Sequence, residues 1–318
     1  MAHQLARELA LTQTTTNSAE NRVHGNIIRP AIGINSSQIS IQVIQPGFVA
    51  AIDAPAFDAP LAPETIASIK SAWQQFPVLV FRNQRLDEQA LANFSQQLGS
   101  FGHDPYVRPT AAHQHVIEVR RDPQETAPIF GHSWHSDWSF QQQPPSATLL
   151  QSHILPPHGG DTVFASGYKA LETLSSAMQA MLKPLRGIHS ATSAYGPNGL
   201  FAKDDNTRSM KIVVSEQADQ RCAHPLIRMH PESGRQALYI NHVYTIGIEG
   251  FKQAESSALL GYLFRHMSQQ SFTYRHKWQN DTLLMWDNRC VTHYADGGYN
   301  GHQRILYRTT LAGEKPIG

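Results

Sequence analysis

The stretch DTLLMWDNRCVTHYADGGYNGHQRILYRTTL, residues 281–311, decides the fold. Its first part, TLLMW, is a short unbroken apolar run and reads as a buried strand. The turn DNR follows, then His293 and a glycine-containing loop. The last part, QRILYRTTL, alternates. Arg304, Leu306, Arg308 and Thr310 fall on one face, and Ile305, Tyr307 and Thr309 on the other. Two strands joined by a loop, with no helix between them, do not belong to a βαβ sheet, where strand and helix alternate throughout.

The pattern extends upstream. HVIEV, SATLLQSHIL, KPLRGIHS, HPLIRMH, QALYINHVY and QSFTYRHKW are further extended runs, punctuated by glycine, proline and Asx turns. PVLVF (77–81) reads as another buried strand. Helices are expected over PETIASIKSAWQQF, with Pro63 in its first turn, and over LDEQALANFSQQLG, with Asp87 as N-cap and Gly99 as stop. Two more are expected near 167–182 and 253–268. The expected fold class is mainly β with flanking helices, a double-sheet jelly roll. Residues 1–38 are polar and rich in Thr, Asn and Ser, and read as an extension, partly disordered or draped over the domain. Residues 39–318 read as one domain.

Composition removes several function classes. The chain has 318 residues, is 41% hydrophobic and 16% charged, and so can bury a core. A formal net charge of +1 argues against a broad nucleic-acid surface. No apolar run approaches the roughly 20 residues of a membrane span. The N-terminus has no apolar core of a secretory signal, and only Cys222 and Cys290 are present, so a reduced, cytoplasmic setting is expected. The 17 histidines leave ample material for a metal site.

GHSWHSDWSF, residues 131–140, is where such a site would begin. If SWHSDWSF is a strand, His135 and Asp137 project from one face, roughly 7 Å apart, while His132 points away. The pair alone is also compatible with a solvated polar strand. A third ligand changes its weight, because two histidines and one carboxylate leave positions open on iron(II). His293, after a strand end in a loop, is the candidate, against the alternative of a hydrogen-bonded loop residue. Arg304 and Arg308, roughly 13 Å apart on one strand face, suit carboxylates through their planar forks. Their alternative is a solvent-facing basic edge.

Together these stretches resemble the TauD/TfdA family of iron(II)- and 2-oxoglutarate-dependent dioxygenases. The matching pieces are WHSDWSF with its following PP, LPPHGGDTVFAS, HPLIRMHPESGRQALYINHVYTIGIEG and LLMWDNRCVTHYADGGYNGHQRILYRTTLAGEKP, in family order. The resemblance implies a double-stranded β-helix, a cupin-like jelly roll. It implies His135, Asp137 and His293 as iron ligands, and Thr162 and Arg304 as binders of the cosubstrate. It implies Arg308 at the position that holds an acidic group of the substrate. Oxygen and 2-oxoglutarate would be consumed and succinate and CO2 released. A small organic anion (a sulfonate, sulfate ester or aryloxyalkanoate) is the expected substrate, and an amino acid or natural-product intermediate the alternative. Dimers or tetramers are common in the family, so a homo-oligomer is expected.

The substrate residues are harder to carry over. In the taurine-acting branch a histidine and a tyrosine after the second N-terminal helix help hold the sulfonate. Aligned without gaps, Asp104 and Val107 take these places, with His103 and Tyr106 one residue away. Asp104 in the pocket would disfavour a second anionic group and could accept from a substrate amine or hydroxyl. Its other reading is a turn cap before Pro105. Trp138 and Tyr244 are expected to line the pocket or to pack in the core, and Trp134 and Trp286 to be core. A jelly roll that binds without turnover would be expected to lack a ligand or Arg304. A zinc hydrolase has no use for a paired arginine and a cofactor threonine.

Overall fold

Alternation along each strand sorts its side chains between two layers, and this places the site. The computed structural model describes residues 39–203 and 207–318; the extension expected over 1–38 lies outside them. Seven strands form the large sheet, in the order β1 (Ser40–Gln45), β2 (Val49–Asp53), β3 (Val78–Phe81), β13 (Leu283–Asp287), β5 (Ala147–Ile154), β15 (Arg304–Leu311) and β4 (Ile117–Arg121). Only the β2–β3 pair is parallel. In a second sheet β6 (Thr162–Ser166) lies between β12 (Thr273–His276) and β14 (Val291–Ala295). In a third, β7 (Arg186–Ser190) lies between β8 (Arg221–Pro225) and β11 (Thr245–Ile248), and a short pair joins β9 (Ile227–Met229) to β10 (Gln236–Leu238).

The large sheet has two apolar faces. On one, Leu79, Phe81, Leu283 and Met285 pack with Ile69 of helix α1 (Pro63–Gln75) and Phe94 of α2 (Glu88–Leu98). On the other, Val78, Val80, Leu284 and Trp286 pack with Phe164 of β6 and Val291 of β14. Each such side chain, taken from water, contributes about 1.5–3 kcal/mol. Asp87 caps α2, accepting from the Ala90 amide at 2.8 Å. The strand β15 obeys the same rule. Its outward Thr309 hydroxyl meets Ser95 of α2 at 2.7 Å, while Leu306 packs inward beside the buried Arg304 and Arg308. The mainly β jelly roll with outer helices is the architecture observed.

Local expectations needed three corrections. The helix near 167–182 is two, α3 (Gly167–Glu172) and α4 (Ser176–Leu182), because Ser175 caps the second through the Met178 amide. HPLIRMH is divided between β8 and β9. QALYINHVY is extended only over Gln236–Leu238, because Asn241 accepts from the Tyr244 amide at 2.9 Å and turns the chain. The last helix, Gln253–Met267, is continuous.

Candidate metal and cosubstrate site

GHSWHSDWSF is not the strand expected of it. Only His135 pairs, giving its amide to the His293 carbonyl at 2.9 Å and accepting from the His293 amide at 2.8 Å. The chain then turns, and Trp138 adopts φ 46°, the left-handed region that costs a bulky residue about 1–3 kcal/mol. Asp137 therefore reaches His135 through a turn rather than along a shared strand face. His293 lies within β14, not in the loop expected to carry it. Residues directly opposite in an antiparallel pair project to the same side, and the two imidazole centres stand 4.2 Å apart.

One ligand atom from each of His135, Asp137 and His293 lies within 4.8 Å of the others, and all three residues are buried. The Nδ1 of His135 bonds the Ser133 carbonyl at 2.8 Å, leaving Nε2 3.6 Å from Asp137 Oδ1. Burial opposes the charge on Asp137, but the Arg308 guanidinium and the two imidazoles hold its carboxyl well below the usual range. Burial, reinforced by His135, pushes His293 down to about 3. Near neutral pH His293 is thus an uncharged imidazole and Asp137 a carboxylate, the states in which both donate to a metal. His293 Nδ1 is buried without a hydrogen-bond partner, so the ring is not committed to a protein acceptor through that atom. The residues fit a metal with open positions.

Sequence reasoning missed what aims Asp137. Thr148 of β5 donates to its Oδ2 at 2.5 Å and accepts from Asn288 Nδ2 at 2.8 Å. Asn288 Oδ1 accepts from the Trp286 indole at 3.0 Å and from the Asp137 amide at 3.4 Å. The asparagine in the turn DNR was the available signal.

Two adjoining cavities share His135, Gly131 and Arg308. The smaller, about 40 Å³, is lined by Thr162, His293, Arg304 and Leu306. The larger, about 160 Å³, is lined by Asp137, Trp138 and Tyr244, with Phe130, Phe201 and Val243 as an apolar wall. A wider groove of about 740 Å³ between 155–161 and 277–280 contains none of the three candidate ligands.

Arg304 is buried, gives Nη2 to the Gly160 carbonyl at 3.0 Å, and has a buried Nε without a partner. Among the described residues no carboxylate is within ion-pair distance of it, and burial pulls its pKa down. Gly160 has φ +72°, and a Cβ there would stand 2.9 Å from Arg304 Nε, so only glycine leaves the guanidinium its place. Arg308 differs. Its Nη2 is 2.6 Å from Asp104 and its Nη1 3.5 Å from Asp137. Burial works against its charge, yet these two carboxylates raise its pKa.

Asp104 lines neither cavity, so of its two expected places the one against the substrate is not seen. Its Oδ1 accepts from the Trp138 indole at 2.5 Å as well as from Arg308, and its Oδ2 from Thr310 at 3.1 Å. Three donors on a strand and a turn hold it beside Arg308. Trp138 is both buried and cavity-lining, with the Arg308 guanidinium 5.1 Å from its ring centre. Tyr244 is also both, edge-on to His135 at 6.4 Å. Tyr106 stacks on Tyr195 at 4.7 Å. Trp286 is core as expected, but Trp134 is half-buried against Tyr294. His132 is exposed and bonds the Ala295 carbonyl at 2.9 Å.

This β fold, with its histidine–aspartate–histidine cluster beside an arginine-bearing cavity, defines a class, and comparison with known proteins names the family. The family model for "Taurine catabolism dioxygenase TauD, TfdA family" matches residues 40–310, and the chain belongs to that family of alpha-ketoglutarate-dependent dioxygenases. It is 32% identical over 258 residues to an alpha-ketoglutarate-dependent sulfate ester dioxygenase of Pseudomonas putida, covering 80% of this chain and 83% of that one. It is 33% identical over 292 residues to an alpha-ketoglutarate-dependent 2,4-dichlorophenoxyacetate dioxygenase of Burkholderia sp. (strain RASC), covering 87% and 95%. The crystal structure of AAD-2 in complex with Mn(II) and N-oxalylglycine superposes with a TM-score of 0.71 at 26% identity, covering 88% of this chain and 99% of that one. Among the described residues no helix is long and apolar enough to cross a membrane.

Proposed function

We propose that His135, Asp137 and His293 hold iron(II), and that Thr162 and Arg304 receive the distal carboxylate of alpha-ketoglutarate (2-oxoglutarate) in the smaller cavity. The observation that carries this reading is the adjacency of the three ligand atoms, within 4.8 Å, to a buried arginine that, among the described residues, has no carboxylate at ion-pair distance. The bound iron would couple oxygen to decarboxylation of the cosubstrate, releasing succinate and CO2 and oxidising a C–H bond of the substrate. The chain's own residues supply orientation and dryness. Thr148 and Asn288 fix the Asp137 carboxylate, and the paired backbones of β14 and residue 135 fix the imidazoles. Leu150, Leu306 and Trp286 keep the smaller cavity apolar around its arginine.

The substrate in this reading is a small organic anion of the sulfonate, sulfate ester or aryloxyalkanoate type. Oxidation beside the heteroatom would give a product that breaks apart. The names of the relatives support it, as do Arg308 and the apolar wall of the larger cavity. A second reading, the same chemistry on an amino acid or natural-product intermediate, draws on one observation: Asp104 already offsets the charge of Arg308. A cytoplasmic homo-oligomer belongs to the same proposal; both cysteines are buried free thiols, in keeping with a reducing compartment.

The test is succinate release across sulfonates, alkyl sulfates, aryloxyalkanoates and amino acids, repeated with three variants. His135→Ala and Asp137→Ala should each abolish succinate and bound iron, while His132→Ala should retain most of both. Equal loss at all three positions would remove the assignment.

A further inference from the structure

The Thr162 hydroxyl faces the smaller cavity beside Arg304, at the N-terminal end of β6. It is not free to rotate at random. The indole N–H of Trp278 donates to its oxygen at 3.0 Å. Indole is a donor only, so this bond fills a lone pair of the hydroxyl and leaves its hydrogen to be given elsewhere. The residue is buried, and among the described residues no acceptor within hydrogen-bond reach takes that hydrogen. The remaining direction is the cavity, which Arg304 also lines. The indole itself is braced. His276 is the ladder partner of Thr162 across β12 and β6, and its ring stands edge-on to Trp278 at 5.0 Å.

We infer that Trp278 is a positioning residue for the cosubstrate: by occupying the acceptor side of the Thr162 hydroxyl, it aims that hydroxyl's hydrogen at the distal carboxylate of 2-oxoglutarate. The inference rests on the proposed role of Thr162 and Arg304. It adds a residue that need not touch the ligand and that stands at the outer rim, in the wall of the 155–161 and 277–280 groove. A hydroxyl already turned toward its acceptor spends no rotamer freedom on binding, and a donor aimed at a carboxylate forms one of the stronger hydrogen bonds available.

The test is a double-mutant cycle on anaerobic 2-oxoglutarate binding to the Mn(II)-loaded protein, read by calorimetry. Trp278→Phe keeps the ring and removes the donor, and should raise Kd about tenfold. Thr162→Val should raise it at least as much, and the double variant no further than Thr162→Val alone. Affinity for 2-oxobutanoate, which lacks the distal carboxylate, should be the same in Trp278→Phe as in the wild type. Multiplying effects in the double variant, or a Trp278→Phe Kd within twofold of the wild type, overturns the role of Trp278. An unchanged Kd in Thr162→Val instead overturns the underlying cosubstrate site. Trp278→His, which restores a ring N–H, guards against a folding artefact. It should recover part of the affinity if the donor matters, and none if only the indole's bulk does.

Discussion

Arg304 and Arg308 stand on one face of one strand and have opposite surroundings. Arg304 is buried with a backbone carbonyl as partner and, among the described residues, no carboxylate at ion-pair distance. Arg308 is buried against two carboxylates, with Trp138 under its guanidinium. A buried cation without a counterion costs the fold stability, so such a residue is kept for a ligand that supplies the missing charge. A buried cation with its counterions in place costs less, and can still face a ligand with whatever charge the counterions leave. The two ends of β15 are therefore set differently, although their residue type is the same: one guanidinium has only a backbone carbonyl as partner, and the other is already paired with two carboxylates.

Three substitutions can break or sharpen that contrast. Arg308→Leu should be the most damaging to the fold, because it strands the buried Asp137 and the partly buried Asp104. Unfolding in urea should show a loss of about 3–5 kcal/mol. Arg304→Leu should leave the ligand-free protein at least as stable, since it removes a buried charge that has no partner at ion-pair distance among the described residues. It should raise the KM for 2-oxoglutarate about a hundredfold, the worth of roughly 2.7 kcal/mol. Equal destabilisation by both variants would erase the distinction. The smallest effect is expected from Asp104→Asn, which keeps an acceptor for Trp138 and Arg308 but drops the charge. KM for an anionic substrate should fall about fivefold to tenfold, with 2-oxoglutarate KM unmoved. A rise instead would make Asp104 a support for Arg308 alone.

Much of this could be read before any coordinates. The alternation of QRILYRTTL put both arginines on one inner face because strand geometry alone decides it. The apolar runs PVLVF and TLLMW became neighbouring central strands. His135, Asp137 and His293 were selected by residue type, and the structure gathers them. The route was not legible. A left-handed Trp138 is invisible to period-two reasoning, so a turn was taken for a strand. Thr148 and Asn288 act through contacts far apart in sequence, which no local pattern encodes. The surroundings of Asp104 are hidden for the same reason, since its three donors come from two distant segments.

The bridge between His135 and His293 has one more consequence. Its two halves come from distant parts of the chain, so the imidazoles cannot meet until the intervening loop has closed. A metal captured there would act as a staple on the closed loop: its binding free energy becomes free energy of folding, and chelation should lower the unfolding midpoint.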